Sequence, residues 1–136
     1  YFNTFGGNPV SCAIATAVLR TVKREKLQNN ALEVGNFLKT ALKDLSKTFP
    51  VLADVRGEGL FLGIELTDEH LNPLPDQASY LVNRMKDQGI LMSVDGPDHN
   101  VLKIKPPLVF SRDSATALLD CLKLILKEDY MKLKNI

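Results

Sequence analysis

The residues best suited to chemistry open the chain, in the stretch Tyr1-Phe2-Asn3-Thr4-Phe5-Gly6-Gly7-Asn8-Pro9. The Thr4 hydroxyl precedes paired glycines, whose backbone can take positive φ and let another surface come close. Asn8 is a good N-cap, and Pro9 suits the first helical position, where an N–H would be unpaired anyway. A loop that ends at a helix N-terminus offers N–H groups to an anion such as a phosphate. On spacing alone, an ordinary loop-to-helix junction is the simpler account. Lys103 and Lys105 form a second candidate. In a strand they share one face, opposite Leu102 and Ile104, and two adjacent cations repel unless that face is wet or meets an anion. A solvated sheet edge guarded by lysines is the simpler account, and an anion-binding face beside Pro106-Pro107 the functional one.

Nothing else in the sequence forms a catalytic constellation. No Ser/His/Asp or Cys/His arrangement stands out, and His70 and His99 fall in polar loops. Cys12 and Cys121 have no metal-ligand or redox spacing and read as core thiols within helical apolar patterns. That usage is compatible with reducing, cytoplasm-like conditions, and a cytoplasmic location is expected. The 136 residues suffice for one real core, and 45% apolar with 24% charged residues is an ordinary globular balance. A net charge of +1 argues against nucleic acid or an anionic membrane as partner. No apolar run approaches the ~20 residues of a bilayer span.

Two helices should come first. Val10, Ile14, Ala17, Val18, Thr21 and Val22 recur at helical spacing over about Pro9 to Lys26. Gln28-Asn29-Asn30 should break that helix and cap a second, which buries Val34, Leu38, Ala41, Leu42 and Leu45 and stops at Pro50. The pattern then turns to period two. Leu60, Leu62, Ile64 and Leu66 predict a strand with one aliphatic face, paired with Val51–Arg56 through Gly57-Glu58-Gly59. Gly57, Gly59 and Gly63 are spaced one residue too long for a dinucleotide loop and lack its βαβ context. Asp76 should cap a third helix that ends at Gly89. Strands are expected at Ile90–Val94 and Val101–Lys105, with a turn at Asp95-Gly96-Pro97-Asp98. Ser111 should cap a last helix, and the tail from Lys127 should fray. The sum is an α+β two-layer sandwich: a small, mainly antiparallel sheet with helices on one face, preceded by a long helix.

Three motifs carry a family resemblance. Asn3-Thr4-Phe5-Gly6-Gly7-Asn8-Pro9 resembles the Thr-[Phe/Tyr]-Gly-Gly-Asn-Pro signature of class III aminotransferases, the fold-type-I enzymes that use pyridoxal 5'-phosphate (PLP). Val55-Arg56-Gly57-Glu58-Gly59 through Gly63-Ile64-Glu65-Leu66 is similar to their Val-Arg-Gly-x-Gly…Gly-Ile-Glu-Leu stretch. Leu102-Lys103-Ile104-Lys105-Pro106-Pro107 resembles their late [Leu/Ile/Phe]-Arg-[Ile/Phe]-x-Pro-Pro motif. All three occur in the family's order. The resemblance implies that Thr4 and Asn3 bind the PLP of the other subunit of a homodimer, Thr4 through the phosphate. It implies the family's C-terminal small domain over 27–136, with 1–26 as phosphate loop and linking helix. The Schiff-base lysine would then lie upstream, and the chain by itself would be a catalytically silent piece of a longer enzyme.

The activity implied is amino-group transfer between an amine or amino acid and a keto acid. One departure qualifies it. Lys103 stands where most of these enzymes carry an arginine that clamps the substrate carboxylate, and an ammonium is only a point charge beside a bidentate guanidinium. Ser93 through Pro107 resembles the branch of ethanolamine-phosphate and phosphohydroxylysine phospho-lyases, related to mitochondrial alanine–glyoxylate aminotransferase. The resemblance therefore implies Lys103 as a substrate-binding residue and a phospho-lyase as the alternative activity. A non-catalytic folding or dimerisation module is a third reading.

Overall fold

In a computed structural model, residues 2–4 and 6–133 are described, which leaves Tyr1, Phe5 and the last three residues of the tail outside the account. Helix α1 (Pro9–Arg24) begins as its sequence demands. The Asn8 side chain accepts from the Ser11 N–H at 2.9 Å, and Pro9 occupies the first turn. Helix α2 (Leu27–Thr48) starts earlier than the polar run suggested. The break falls at Lys26, which is left-handed at φ 52°, so Gln28-Asn29-Asn30 lies inside α2 rather than capping it. Helix α3 (Pro75–Asp87) corrects the expected Asp76 cap. Proline takes the first helical position, Asp76 falls within the first turn where its charge favours the helix dipole, and Leu74 is the cap residue. Gly89 ends that helix in the left-handed region at φ 81°. In α4 (Arg112–Ile125), Ser111 caps by accepting from the Ser114 N–H at 3.1 Å.

Four strands make one antiparallel sheet in the order β1 (Leu52–Glu58), β2 (Phe61–Leu66), β4 (Val101–Ile104), β3 (Ser93–Asp95). The strand expected over Ile90–Val94 is shorter and begins at Ser93. β4 stops at Ile104, which leaves Lys105 beyond the strand, exposed before the two prolines. The period-two prediction holds. Leu62, Ile64 and Leu66 are buried on the inner face with Leu102 and Ile104. Helices α2, α3 and α4 cover that face with Val34, Leu38 and Leu42, with Ala78, Leu81 and Met85, and with Ala115, Leu118, Leu122 and Ile125. The core therefore lies between one helical layer and one sheet face. The opposite sheet face has no layer over it among the described residues.

Two elements depart from the expected pattern. α1 buries none of its residues, and Val10, Ile14, Val18 and Leu19 are exposed; Cys12 on it is exposed too, not a core thiol, while Cys121 is half-buried. Over residues 127–133 the tail makes more contacts than its composition suggested, and the rest of the expected frayed segment lies outside the described residues. Glu128 accepts from Arg84 and from the Tyr80 hydroxyl, Met131 is buried, and the Tyr80 and Tyr130 rings lie 4.4 Å apart. The carboxylate of Glu128 sits below its ordinary range because Arg84 and then Tyr80 donate to it.

Gly35 sets the distance between α2 and the β1–β2 turn. A Cβ placed there would stand 2.0 Å from the carbonyl oxygen of Gly59. Nothing larger than glycine fits without moving backbone. Gly35→Ala should therefore destabilise the domain by about 1–3 kcal/mol, the usual cost of overpacking. A urea midpoint equal to that of the unchanged chain would contradict this packing.

Candidate functional site

The open sheet face gathers the charged residues that the sequence placed in separate motifs. Gly63 pairs with Arg56 on one side and with Lys103 on the other. Strand alternation therefore puts Arg56, Gly63 and Lys103 in a row on the outer surface. Asp95 joins them from β3, opposite Val101. Arg56, Phe61, Gly63, Asp95 and Lys103 line one open hollow of about 450 Å³. Gly63 keeps the floor low, since a Cβ there would already touch Val101 at 3.3 Å.

The charges on this face are paired. Arg56 donates to Asp54 at 2.8 Å and to Glu65 at 2.5 Å, and those two hydrogen bonds raise its pKa. The Lys103 ammonium reaches Asp95 Oδ2 at 2.5 Å, and Asp95 Oδ1 accepts from the Gly96 N–H at 2.9 Å. These donors, Lys103 first, hold the Asp95 carboxyl below its ordinary value of 3.8. The expected repulsion between Lys103 and Lys105 is not the controlling interaction, because Lys103 answers a carboxylate on the next strand.

The opening loop is a separate assembly. Thr4 is exposed, Gly7 is left-handed at φ 76°, and the Gly6 N–H turns back to the Asn3 carbonyl at 3.4 Å. A Cβ on Gly6 would crowd the Asn3 side chain at 2.8 Å. The exposed Thr4 hydroxyl is the side-chain donor this loop offers an anion, since the Gly6 N–H is taken by Asn3 and the Ser11 N–H by Asn8. Asn3 and Thr4 do not line the Lys103 hollow, so the loop and the sheet face are not brought together within it. His70 is exposed at the surface, and no group of metal-ligating side chains occurs among the described residues. No helix among them is long and apolar enough to cross a membrane.

Sequence reasoning missed three positioning residues. Asn30 donates to the carbonyls of Leu108 (2.8 Å) and Phe110 (3.1 Å), which fastens the segment after Pro106-Pro107 to α2. Asn100 is buried and joins the end of β2 to the start of β4 through the Leu66 carbonyl at 2.9 Å. Asp95 was legible only as a turn residue. Its role follows from register, which sets it opposite Val101 and so diagonal to Lys103, two residues along β4.

This architecture is shared with solved structures of a phospholyase and an aminotransferase. A phospholyase from Arthrobacter in complex with phosphoethanolamine matches with TM-score 0.87 and 42% identity, over 93% of this chain and 30% of that one. An aminotransferase from Bacillus anthracis matches with TM-score 0.84 and 33% identity, over 93% of this chain and 30% of that one. The family model Aminotransferase class-III matches residues 2–126, and the chain belongs to this PLP-dependent family. Among curated relatives, the alanine–glyoxylate aminotransferase 2-like protein of Drosophila melanogaster is 47% identical over 94% of this chain and 27% of its own length. Ethanolamine-phosphate phospho-lyase homolog 1 of Caenorhabditis elegans is 46% identical over 84% of this chain and 25% of its own length. The chain thus spans about a quarter of the curated relatives it matches.

The Lys103–Asp95 pair has a direct signature. Asp95 is lowered in the folded chain, so its contribution to stability is full above the unfolded value near 3.8 and fades as pH falls through the native one. Lys103→Ala should move the Asp95 carboxyl titration, followed by ¹³C NMR, upward toward 3.8. An unmoved midpoint would contradict the pairing.

Proposed function

We propose that this chain is the C-terminal small domain, over 27–136, of a homodimeric PLP enzyme, with 1–26 as the phosphate loop and the helix that links it. In this reading the Thr4 hydroxyl donates to the phosphate of the PLP held by the partner subunit, and Asn3 supports the turn beside it. The cofactor supplies an electron sink for the carbon that bears the substrate amine. The residue that forms the Schiff base belongs to a part of the enzyme outside this chain. Lys103, in the row above Gly63, meets the substrate on the open sheet face.

Between the two reactions of the family, phosphate elimination from a phosphorylated amine such as ethanolamine phosphate fits this face best. The observation that carries this is the charge on Lys103. It replaces a bidentate arginine with a point cation, and that cation is already hydrogen-bonded to Asp95. A site arranged in this way is poorly equipped to grip an α-carboxylate, and ethanolamine phosphate has none. The likeness to the phosphoethanolamine-bound phospholyase supports the same reading. Amino transfer to a keto acid is the second reading, favoured by the 47% identity to an alanine–glyoxylate aminotransferase 2-like protein.

The full-length enzyme that contains this chain decides between them. With ethanolamine phosphate it should release inorganic phosphate without consuming keto acid. Amino transfer from an amino acid to pyruvate or glyoxylate, with no phosphate release, would overturn the lyase reading. Thr4→Val should weaken PLP binding about tenfold or more, the scale of one hydrogen bond to a charged group. Lys103→Ala should weaken substrate more than PLP. The isolated chain should show no substrate-dependent change in PLP absorbance.

A further inference from the structure

We infer that Asp95 is a specificity-determining residue, which excludes carboxylate-bearing substrates by occupying the Lys103 ammonium on the open sheet face. This rests on the proposed role of Lys103 in meeting substrate. Three features of the structure lead to it. First, the pair is built across strands. Ser93 opposes Lys103 and Asp95 opposes Val101, so Asp95 and Lys103 are diagonal neighbours on the outer surface, where long side chains of opposite charge meet. Second, Asp95 is held from both sides. Its Oδ1 takes the Gly96 N–H, and Gly96 is left-handed at φ 86°, which turns the chain away after the carboxylate has been placed. The other oxygen, Oδ2, is thereby aimed at Lys103.

Third, both cations that line the hollow, Arg56 and Lys103, are already engaged. Arg56 is shared between Asp54 and Glu65, and Lys103 goes to Asp95. These two cations thus answer three carboxylates, Asp95 in the lining of the hollow and Asp54 and Glu65 beside Arg56. An incoming carboxylate would have to displace Asp95 from Lys103 and would leave that aspartate beside it, like charge against like. A substrate that differs only in lacking the carboxylate meets no such opposition. Specificity then comes from a repulsive group as much as from an attractive one.

O-Phosphoserine and ethanolamine phosphate make the test, because they differ by one carboxylate. Their dissociation constants for the full-length holoenzyme would be measured by titration of the bound cofactor's absorbance. Asp95→Asn removes the charge yet keeps an Oδ1 acceptor for Gly96. It should lower the dissociation constant of O-phosphoserine relative to ethanolamine phosphate by about fivefold, the scale of an exposed ion pair. Asp95→Glu should keep the original ratio. In the double variant Asp95→Asn with Lys103→Met, the gain should vanish.

An unchanged ratio in Asp95→Asn, or a gain that persists without Lys103, overturns the inference. Circular dichroism of each variant separates these outcomes from misfolding, and the Asp95→Glu rescue does so independently. Lys103→Met alone keeps the two proposals distinguishable. If it leaves both affinities unmoved, Lys103 does not meet substrate, and the functional reading fails together with this one. If it shifts them while Asp95→Asn leaves the ratio alone, only the role of Asp95 fails.

Discussion

The pairing of β2 with β4 is the constraint on which the rest depends. Four residue pairs, from Leu62–Ile104 to Glu65–Val101, join segments about forty residues apart in sequence. On the inner side they bring Leu62, Ile64, Leu102 and Ile104 together beneath the helices. On the outer side the same register sets Lys103 beside Gly63, and the β3–β4 pairing then brings Asp95 within its reach. A slip of one residue would reverse both faces at once, sending the aliphatic residues to solvent and Lys103 into the core. The core and the Gly63–Lys103 row are therefore specified by one register. Asn100 guards it, because its buried side chain ties the end of β2 to the start of β4.

The second consequence is electrostatic. A sheet with helices on one side leaves a polar face on the other, and here that face carries paired charges instead of scattered lysines and glutamates. Exposed pairs contribute little to stability. Their effect lies in what they leave available: a hollow over Gly63 whose cations are engaged, next to a glycine floor that admits a close approach. Charge of this kind discriminates between ligands more than it strengthens the fold.

Much of this was legible in the residues. Alternation of Leu62, Ile64 and Leu66 showed the strand, the helical repeat of Val34, Leu38 and Leu42 showed the buried face of α2, and Asn8-Pro9 and Ser111 showed where helices begin. Three motifs in order showed the family. What stayed hidden was non-local or lay in the backbone. Lys26 breaks the first helix in a left-handed conformation that lysine seldom adopts, so no sequence signal marks it. Asn30 looked like a cap because its acceptors lie 78 and 80 residues away. Asp95 looked like a turn residue until the β3–β4 register put it beside Lys103. Pro75 displaced Asp76 from the cap because proline fits the first turn better than any other position of a helix. The apolar side of α1 read as a packing surface, yet Val10, Ile14 and Val18 stay exposed and only its last turn, at Thr21 and Val22, is half-buried.

The central claim is that this sheet face and the opening glycine loop are two parts of a PLP site shared between subunits. A crystal structure of the full-length enzyme with ethanolamine phosphate bound tests it most directly. The account predicts that the open face of the sheet turns toward the bound ligand, with Lys103 within hydrogen-bond reach and still paired to Asp95. It also predicts the Thr4 hydroxyl on the phosphate of the partner subunit's PLP. A structure in which that face looks into solvent, with Lys103 and Thr4 both remote from ligand and cofactor, would contradict it.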